Sequence, residues 1–572
     1  MKSVKILICL LFIIISNAAI QWYANQPQMA GTDLPPGKFK SLSFAPFREG
    51  YSPLDKKFPL PEHIDQDLSL LAGKTQNIRT YSILDGMERT PEFAGKHGID
   101  VIQGGWLEGS TKRNKKEIQT LIESVNAHPD VIKRVIVGNE VLLRHDMSVE
   151  ALIDYIRQVK QAVKQPVSYA DVWSIYLKYP QLFNEVDFIT IHILPYWEDE
   201  PIGIDQATAH VEKIVRLIEA KAHSMGQDKP ILIGESGWPS AGRQRGKAIP
   251  SVVNETKFIR GLIEVANRHG FDYNIVEAFN QPWKSHNEGV VGANWGLLSA
   301  DRQPMFPLTG PVIENSHWQW DFGIASGLFL IIAGVYFKKL QTFAVLRLLI
   351  FLTLAQLFGT CLVTQADFMW LTSYSFWQRA YTVMMLAANF VLAIGLIQRN
   401  YELLAEIPNS IILATRLRIA YQVFALFALY KTISLAFIGR SLSFPIEEFA
   451  IPVIGVCGLI ACLGLKHQDL DWHSLSFRDL LEGGEIKQKL RDRQIAQYLS
   501  LAAVAMLIGE TCAFWFGEDF VIAHPDFIAS LPLALGYTFT NQQLLIWIAC
   551  VLILSVPFWG HGGHNDQRLS LS

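Results

Sequence analysis

Glu140 and Glu235 are the residues of this 572-residue chain best suited to doing chemistry as a pair. Each closes an apolar, β-branched run: Val137-Gly138-Asn139-Glu140-Val141 and Ile231-Leu232-Ile233-Gly234-Glu235-Ser236. Two carboxyl groups held close together repel as anions, so one keeps a proton while the other stays ionised. Cleavage of a glycosidic bond needs that division. One group is general acid and then general base, and the other attacks the anomeric carbon; the two stand about 5–5.5 Å apart when configuration is retained. Asn139, next to Glu140, would supply a hydrogen bond to the sugar 2-OH. A single glutamate at a strand end is more often a solvated rim residue or an ion-pair partner.

The elements that must position this pair can be read from the apolar pattern. Strand candidates fall at Ser41–Phe47, Asn77–Ile83, Asp100–Leu107, Arg134–Val141, Val167–Val172, Phe188–Trp197, Pro230–Trp238 and Asn274–Trp283. Amphipathic stretches such as Glu62–Ala72, Lys115–Asn126, Val149–Val163, Ala207–Ser224 and Glu255–His269 lie between them. This α/β alternation over about 260 residues predicts a closed (β/α)8 TIM barrel, with chemistry at the C-terminal ends of its strands. An open doubly wound sheet is the alternative. It would normally carry a Gly-rich first turn for a nucleotide; none follows the first strand, and no cofactor is expected.

The strand ends carry carboxylates, amides and aromatics suited to a sugar chain. Arg79 and Tyr81, Trp106 and Glu108, His192, Tyr196 and Trp197, Trp238, and Glu277, Gln281, Trp283 and Lys284 all fall there. Trp106, Tyr196, Trp238, Trp283 and Trp295 are candidate stacking platforms, with ordinary packing as the alternative. Arg79 is placed to orient Glu235, and Lys284 and Glu288 to bind hydroxyls or to pair with each other. His192 is read as sugar-contacting or packing. It is not read as a metal ligand, because no second ligand lies at metal spacing.

These strings resemble glycoside hydrolase family 17, the β-1,3-glucanase family. Ile231-Leu232-Ile233-Gly234-Glu235-Ser236-Gly237-Trp238-Pro239-Ser240 fits the family's nucleophile signature throughout, and Gly138-Asn139-Glu140-Val141 fits its shorter acid/base motif. The resemblance covers about residues 40–312 and implies Glu140 as acid/base and Glu235 as nucleophile. Ser43-Phe44-Ala45-Pro46-Phe47-Arg48-Glu49-Gly50 and Glu277-Ala278-Phe279-Asn280-Gln281-Pro282-Trp283-Lys284 are similar to the bacterial, membrane-embedded branch. So are Glu288-Gly289 and Trp295-Gly296. Plant members usually have a Glu where Gln281 stands and an Asn where His192 stands; Glu277 is an additional acid.

Composition divides the chain in three. Met1-Lys2-Ser3-Val4-Lys5 and the apolar run after it make residues 1–20 a signal peptide or signal anchor. Residues 21–318 are mixed and charged. Residues 319–572 hold seven apolar stretches, at roughly 321–337, 343–363, 380–397, 417–438, 446–465, 496–516 and 543–558. If 21–318 lies outside, the inner loops carry Lys338, Lys339, Arg399, Arg416, Arg418, Lys466, Arg478, Lys487, Lys489, Arg491 and Arg493. The outer loops carry only Arg379 and Arg440, an asymmetry that matches the positive-inside rule. The expectation is a multi-pass protein of the inner (cell) membrane, with a periplasmic barrel and a cytoplasmic C-terminus.

Gln356, Asn389, Lys431 and Glu510 lie in or near apolar runs, where structural roles are weighed ahead of transport. Gln468–Gln494 reads as a polar loop with a surface helix. All six cysteines sit in apolar segments, so disulfides do not hold the charged region together. A net charge of −3 and the lack of a basic run argue against nucleic acid.

The expected function is a retaining hydrolase or transglycosylase acting on β-1,3-glucan, with the lipid bilayer as its other partner. Two alternatives stay open. One is a glucan-binding receptor with a degenerate barrel. The other is a synthesis or export protein with an accessory sugar domain, for which a glucan synthase would be a partner; no paired-Asp synthase signature is evident.

Overall fold

The computed structural model describes residues 2–466, 472–481 and 490–559. Eight parallel strands close into a barrel in sequence order: β1 Phe39–Ser43, β2 Thr75–Arg79, β3 Asp100–Gly105, β4 Ile132–Asn139, β5 Val167–Val172, β6 Ile189–His192, β7 Ile231–Ser236 and β8 Asp272–Ile275. β1 closes the barrel on β8 through Leu42 and Ile275. The strands are parallel because each connection is a helix that returns the chain to the same end. Serines cap several of these helices. Ser148, for example, accepts from the Ala151 amide ahead of Val149–Ala162, whose buried Leu152, Ile153, Ile156 and Val159 face the sheet.

The barrel interior is layered. Ile102, Ile136, Ala170, Phe188 and Leu232 form an apolar cluster. Other buried positions along the strands are polar and mutually bonded. Asn274 joins Ser41, Ser43 and the Gly234 carbonyl; Gln103 joins Thr80; Thr190 joins Ser168. Because each buried polar group needs a partner, this lattice fixes the strand ends more tightly than apolar contact alone.

The chain forms two compact units. One is the barrel, residues 27–314, together with Phe514–Thr540. The expected boundary after residue 318 therefore misses a distant segment, which is separated from the barrel by a long run of sequence but folds with it. The other unit comprises residues 1–26, 315–513 and 541–572, and is helical where described.

Among the described residues seven helices are long and apolar enough to cross a membrane, by length and composition. They are Lys2–Ala24, Trp318–Leu340, Val345–Leu371, Phe376–Leu404, Ile411–Ser441, Ile446–Lys466 and Arg491–Trp515. The N-terminal run is thus longer than the sequence suggested. Its Ile6, Cys9, Leu10 and Ile13 are buried in the core of the helical unit. The stretch expected at 543–558 forms a 14-residue helix, Gln542–Ser555, which passes the same test of length and composition only when taken together with Phe527–Thr540.

The polar residues in the apolar runs all have partners. Lys431 pairs with Glu448, Asn389 donates to Gln365, Gln356 donates to Thr360, and Glu510 accepts from Asn541. The cysteines are free. Residues 468–471 and 482–489 of the expected polar loop, and the tail after Trp559, lie outside the described residues.

Candidate active site

Backbone irregularities set the site's geometry. The strand registers shift between Ile136 and Asn139 on β4, between Ile191 and His192 on β6, and between Ile233 and Ser236 on β7. Bulges at strand ends re-aim side chains, and these three fall where Asn139-Glu140, His192 and Glu235 sit. Gly138 has φ +86°, and Glu140 itself is left-handed at φ 51°. A non-glycine residue in that region stores on the order of 1–3 kcal/mol, so its surroundings must hold it there. The Glu140 amide donates to the Ala170 carbonyl at 2.8 Å. The next turn is fixed from β5: Tyr169 Oη accepts from the Leu142 amide at 3.0 Å and donates to Asp171. Gly234 is needed for a different reason, since a Cβ there would come within 2.5 Å of Thr190 and 3.1 Å of His192.

Glu140, His192 and Glu235 converge. One ligand atom from each lies within 4.8 Å of the others. His192 Nδ1 is 3.0 Å from Glu140 Oε1, and Nε2 is 3.6 Å from Glu235 Oε1. Arg79 is buried beneath them, with Nη1 donating to Glu235 Oε1 at 2.7 Å and Nη2 donating to Asn139 Oδ1. Its guanidinium also lies over the Tyr81 ring, and Tyr81 donates to Ser43 at 3.0 Å.

Burial works to raise the Glu235 carboxyl. The positive charges of His192 and Arg79, with the Arg79 hydrogen bond, outweigh it and hold the group at about 2. Glu235 is therefore the carboxylate that stays ionised. Glu140 is the more open of the two, its side chain 25% exposed against 10%.

A second charged cluster borders the first. Lys284 donates to buried Glu277 at 2.8 Å. Burial pushes the Glu277 carboxyl up to about 7 against the pull of Lys284, and it also raises Glu288. Of the two alternatives for Lys284 and Glu288, mutual pairing is not the one found: Lys284 pairs with Glu277. Gln281 is fully buried and donates to the Ala45 and Phe279 carbonyls. Its difference from the plant pattern therefore serves packing.

The aromatic expectations divide. Trp106 and Trp283 are half-buried, as a platform must be. Tyr196 and Trp238 are fully buried, and their polar atoms donate to the Arg243 and Ile249 carbonyls. They and Trp295 pack the barrel and cannot stack on a sugar, which corrects the sequence expectation. Trp197, adjacent to Tyr196, and Trp173 at the end of β5 are half-buried instead.

Asp171 was also missed, although it lies next to the end of a correctly bounded strand. Burial pushes it up to about 7, with the Glu140 charge adding to the effect and the Tyr169 bond opposing it. Arg144 was missed as well; it donates to the Asn139 and Leu107 carbonyls beneath Trp106.

The Glu140–His192–Glu235 donor set has the composition of a cation site, which the sequence spacing did not suggest. A dication there would have to compete with the Arg79 guanidinium already bound to Glu235.

Residues 41–296 match the model of the BtgE/BtgC glycoside hydrolase domain. A glucan 1,3-beta-glucosidase of Arthroderma benhamiae is 26% identical over 256 residues, 42% of this chain and 82% of that protein. A Candida albicans glucan 1,3-beta-glucosidase is 24% identical over 260 residues, 41% of this chain and 82% of that protein. Among solved structures, the glycoside hydrolase family 17 beta-1,3-glucanosyltransferase of Rhizomucor miehei is 26% identical, covering 48% of this chain and 98% of its own, at a TM-score of 0.41. The β4 and β7 motifs thus lie within the stretch that matches this glycoside hydrolase domain, and the model and the relatives together support assigning the barrel, as a glycosidase, to glycoside hydrolase family 17.

Proposed function

We propose that this protein is a membrane-anchored retaining enzyme of β-1,3-glucan, with Glu235 as nucleophile and Glu140 as acid/base. The observation that carries the reading is the carboxylate pair itself. Two glutamates stand within 4.8 Å at one mouth of the barrel, and one is held ionised by a buried arginine. That spacing leaves no room for a water between them and suits direct attack on the anomeric carbon. Glu140 protonates the leaving oxygen while Glu235 bonds to the sugar. Glu140 then takes a proton from the incoming water or sugar hydroxyl, which displaces Glu235. Asn139, its Oδ1 occupied by Arg79, keeps its amide N–H groups for the sugar 2-OH.

The β-1,3 linkage is supported by the names of the relatives, and so is transfer to a second sugar alongside hydrolysis. Anchoring in the cell membrane, with the barrel outside, is supported by the apolar helices and by the charge asymmetry of their loops. The test is to incubate the full chain in detergent with laminari-oligosaccharides and analyse the products. Shorter products alone mean hydrolysis, and longer or branched ones mean transfer. Binding without products would favour a receptor and sink the enzymatic reading.

A further inference from the structure

The loop after β6 carries three consecutive acids, Glu198, Asp199 and Glu200, directly after Trp197. Left in water, three adjacent carboxylates repel one another and hold no fixed shape. Here each is held. Glu198 is taken up within the barrel by His210 and by the Trp173 indole N–H at 3.2 Å. The other two are held by Phe514–Thr540. The Asp519 amide donates to Asp199 at 3.0 Å. Both oxygens of Glu200 are engaged, one by His524 at 3.1 Å and one by the Tyr537 hydroxyl at 2.9 Å.

The loop after β7 is gripped by the same segment. Gln244 donates to the Thr540 carbonyl at 3.1 Å. Arg245 is buried, donates to the Tyr196 carbonyl at 2.8 Å, and lies within 6.0 Å of the Tyr196, Trp197 and Phe514 rings. The segment has the stiffness for this role: Phe514, Phe520 and Ala534 form its own buried core, backed by Trp515 and Tyr537.

The loops after β6 and β7 follow directly from His192 and Glu235. Loops at that face of a (β/α)8 barrel contact the parts of a substrate that flank the reacting bond. We propose that Phe514–Thr540 is a specificity element of the glycosidase. By fixing Asp199, Glu200 and Arg245 it shapes the rim carrying Trp173 and Trp197, and this rim binds glucosyl units beyond those next to the cut bond. The inference rests on the glucan function proposed above. Tyr537, His524 and Asp519 are positioning residues in it, since they act through the β6 loop. The segment makes the enzyme favour long chains over short ones.

The experiment measures binding of laminaritriose and laminarihexaose to the full chain in detergent, in a Glu235→Gln background that prevents turnover. Tyr537→Phe removes one oxygen and leaves the packing intact; Tyr537→Phe with His524→Leu, which has no donor, releases Glu200. The double variant should bind the hexaose roughly tenfold more weakly, the part of the lost Glu200 bonding that reaches the sugar through the loosened rim, with triose affinity unchanged within about twofold. His524→Lys keeps a hydrogen-bond donor beside Glu200 and should retain hexaose affinity. Equal weakening for both sugars, or none for either, overturns the inference and leaves the glucan function standing. Failure of the Glu235→Gln parent to bind either sugar overturns the glucan function itself.

Discussion

Replacing Arg79 by methionine tests the electrostatic logic of the site most directly. The substitution keeps an unbranched apolar stem and removes the charge beneath Glu235. Glu235 is held at about 2 against an ordinary value of 4.5, which corresponds to ~3 kcal/mol favouring the ionised form. The sign follows from the direction. A lowered carboxyl contributes stability that is fully present above 4.5 and is lost as pH falls towards 2. The wild-type enzyme should therefore keep its ionised nucleophile, and show no acid limb from it, down to about pH 2–3.

Without Arg79, burial is opposed by fewer charges, and the acid limb of kcat/KM should move up to about pH 5 or higher. At pH 7 Glu235 stays ionised in the variant, so kcat there should fall only through the lost grip on Asn139, by about tenfold. The assay is initial rate against pH on a laminari-oligosaccharide with the full chain in detergent. Arg79→Lys should lie in between, because an ammonium supplies charge without the fork that reaches both Glu235 and Asn139. An unmoved acid limb in Arg79→Met would refute the assignment of Glu235 as the ionised partner.

Three further outcomes are expected. Glu235→Ala should abolish turnover, and added azide should partly restore it on an activated substrate by attacking where the carboxylate did; unchanged turnover would defeat the nucleophile assignment. Tyr169→Phe removes the hydroxyl that joins the Leu142 amide to Asp171 and so loosens the left-handed turn at Glu140. It should lower kcat about tenfold with little change in KM, and cost ~1–2 kcal/mol in chemical denaturation. EDTA should leave activity unchanged, because Arg79 already neutralises Glu235; loss of activity restored by a divalent cation would show that Glu140, His192 and Glu235 work as a metal site.

The barrel and its carboxylate pair were legible for a physical reason. Parallel strands buried on both faces leave dense apolar runs, so a glutamate closing such a run is conspicuous. Neighbours in sequence were harder to assign. Tyr196 and Trp197 differ by one position and are equally aromatic, yet the first packs into the barrel and the second reaches the surface. Composition does not reveal which way a loop residue turns. Asp171 escaped notice because its role depends on Tyr169 and on an amide of the neighbouring strand's loop. The segment Phe514–Thr540 was masked by its own residues. Phe527–Thr540 is apolar and contains Pro532, so it resembles a piece of a membrane span although it folds with the barrel unit.

That segment imposes an order on how the protein is made. β8 ends at Ile275, whereas the chain that finishes the same unit begins at Phe514, roughly 240 residues later. At a ribosomal pace of ~5–20 residues per second, the barrel waits on the order of 10–50 s for its last piece. Until then the bonds that Asp519, His524 and Tyr537 make to Asp199 and Glu200 cannot form. The rim is completed only after most of the apolar helices have been synthesised, so the enzyme gains its full shape once nearly the whole chain has been made.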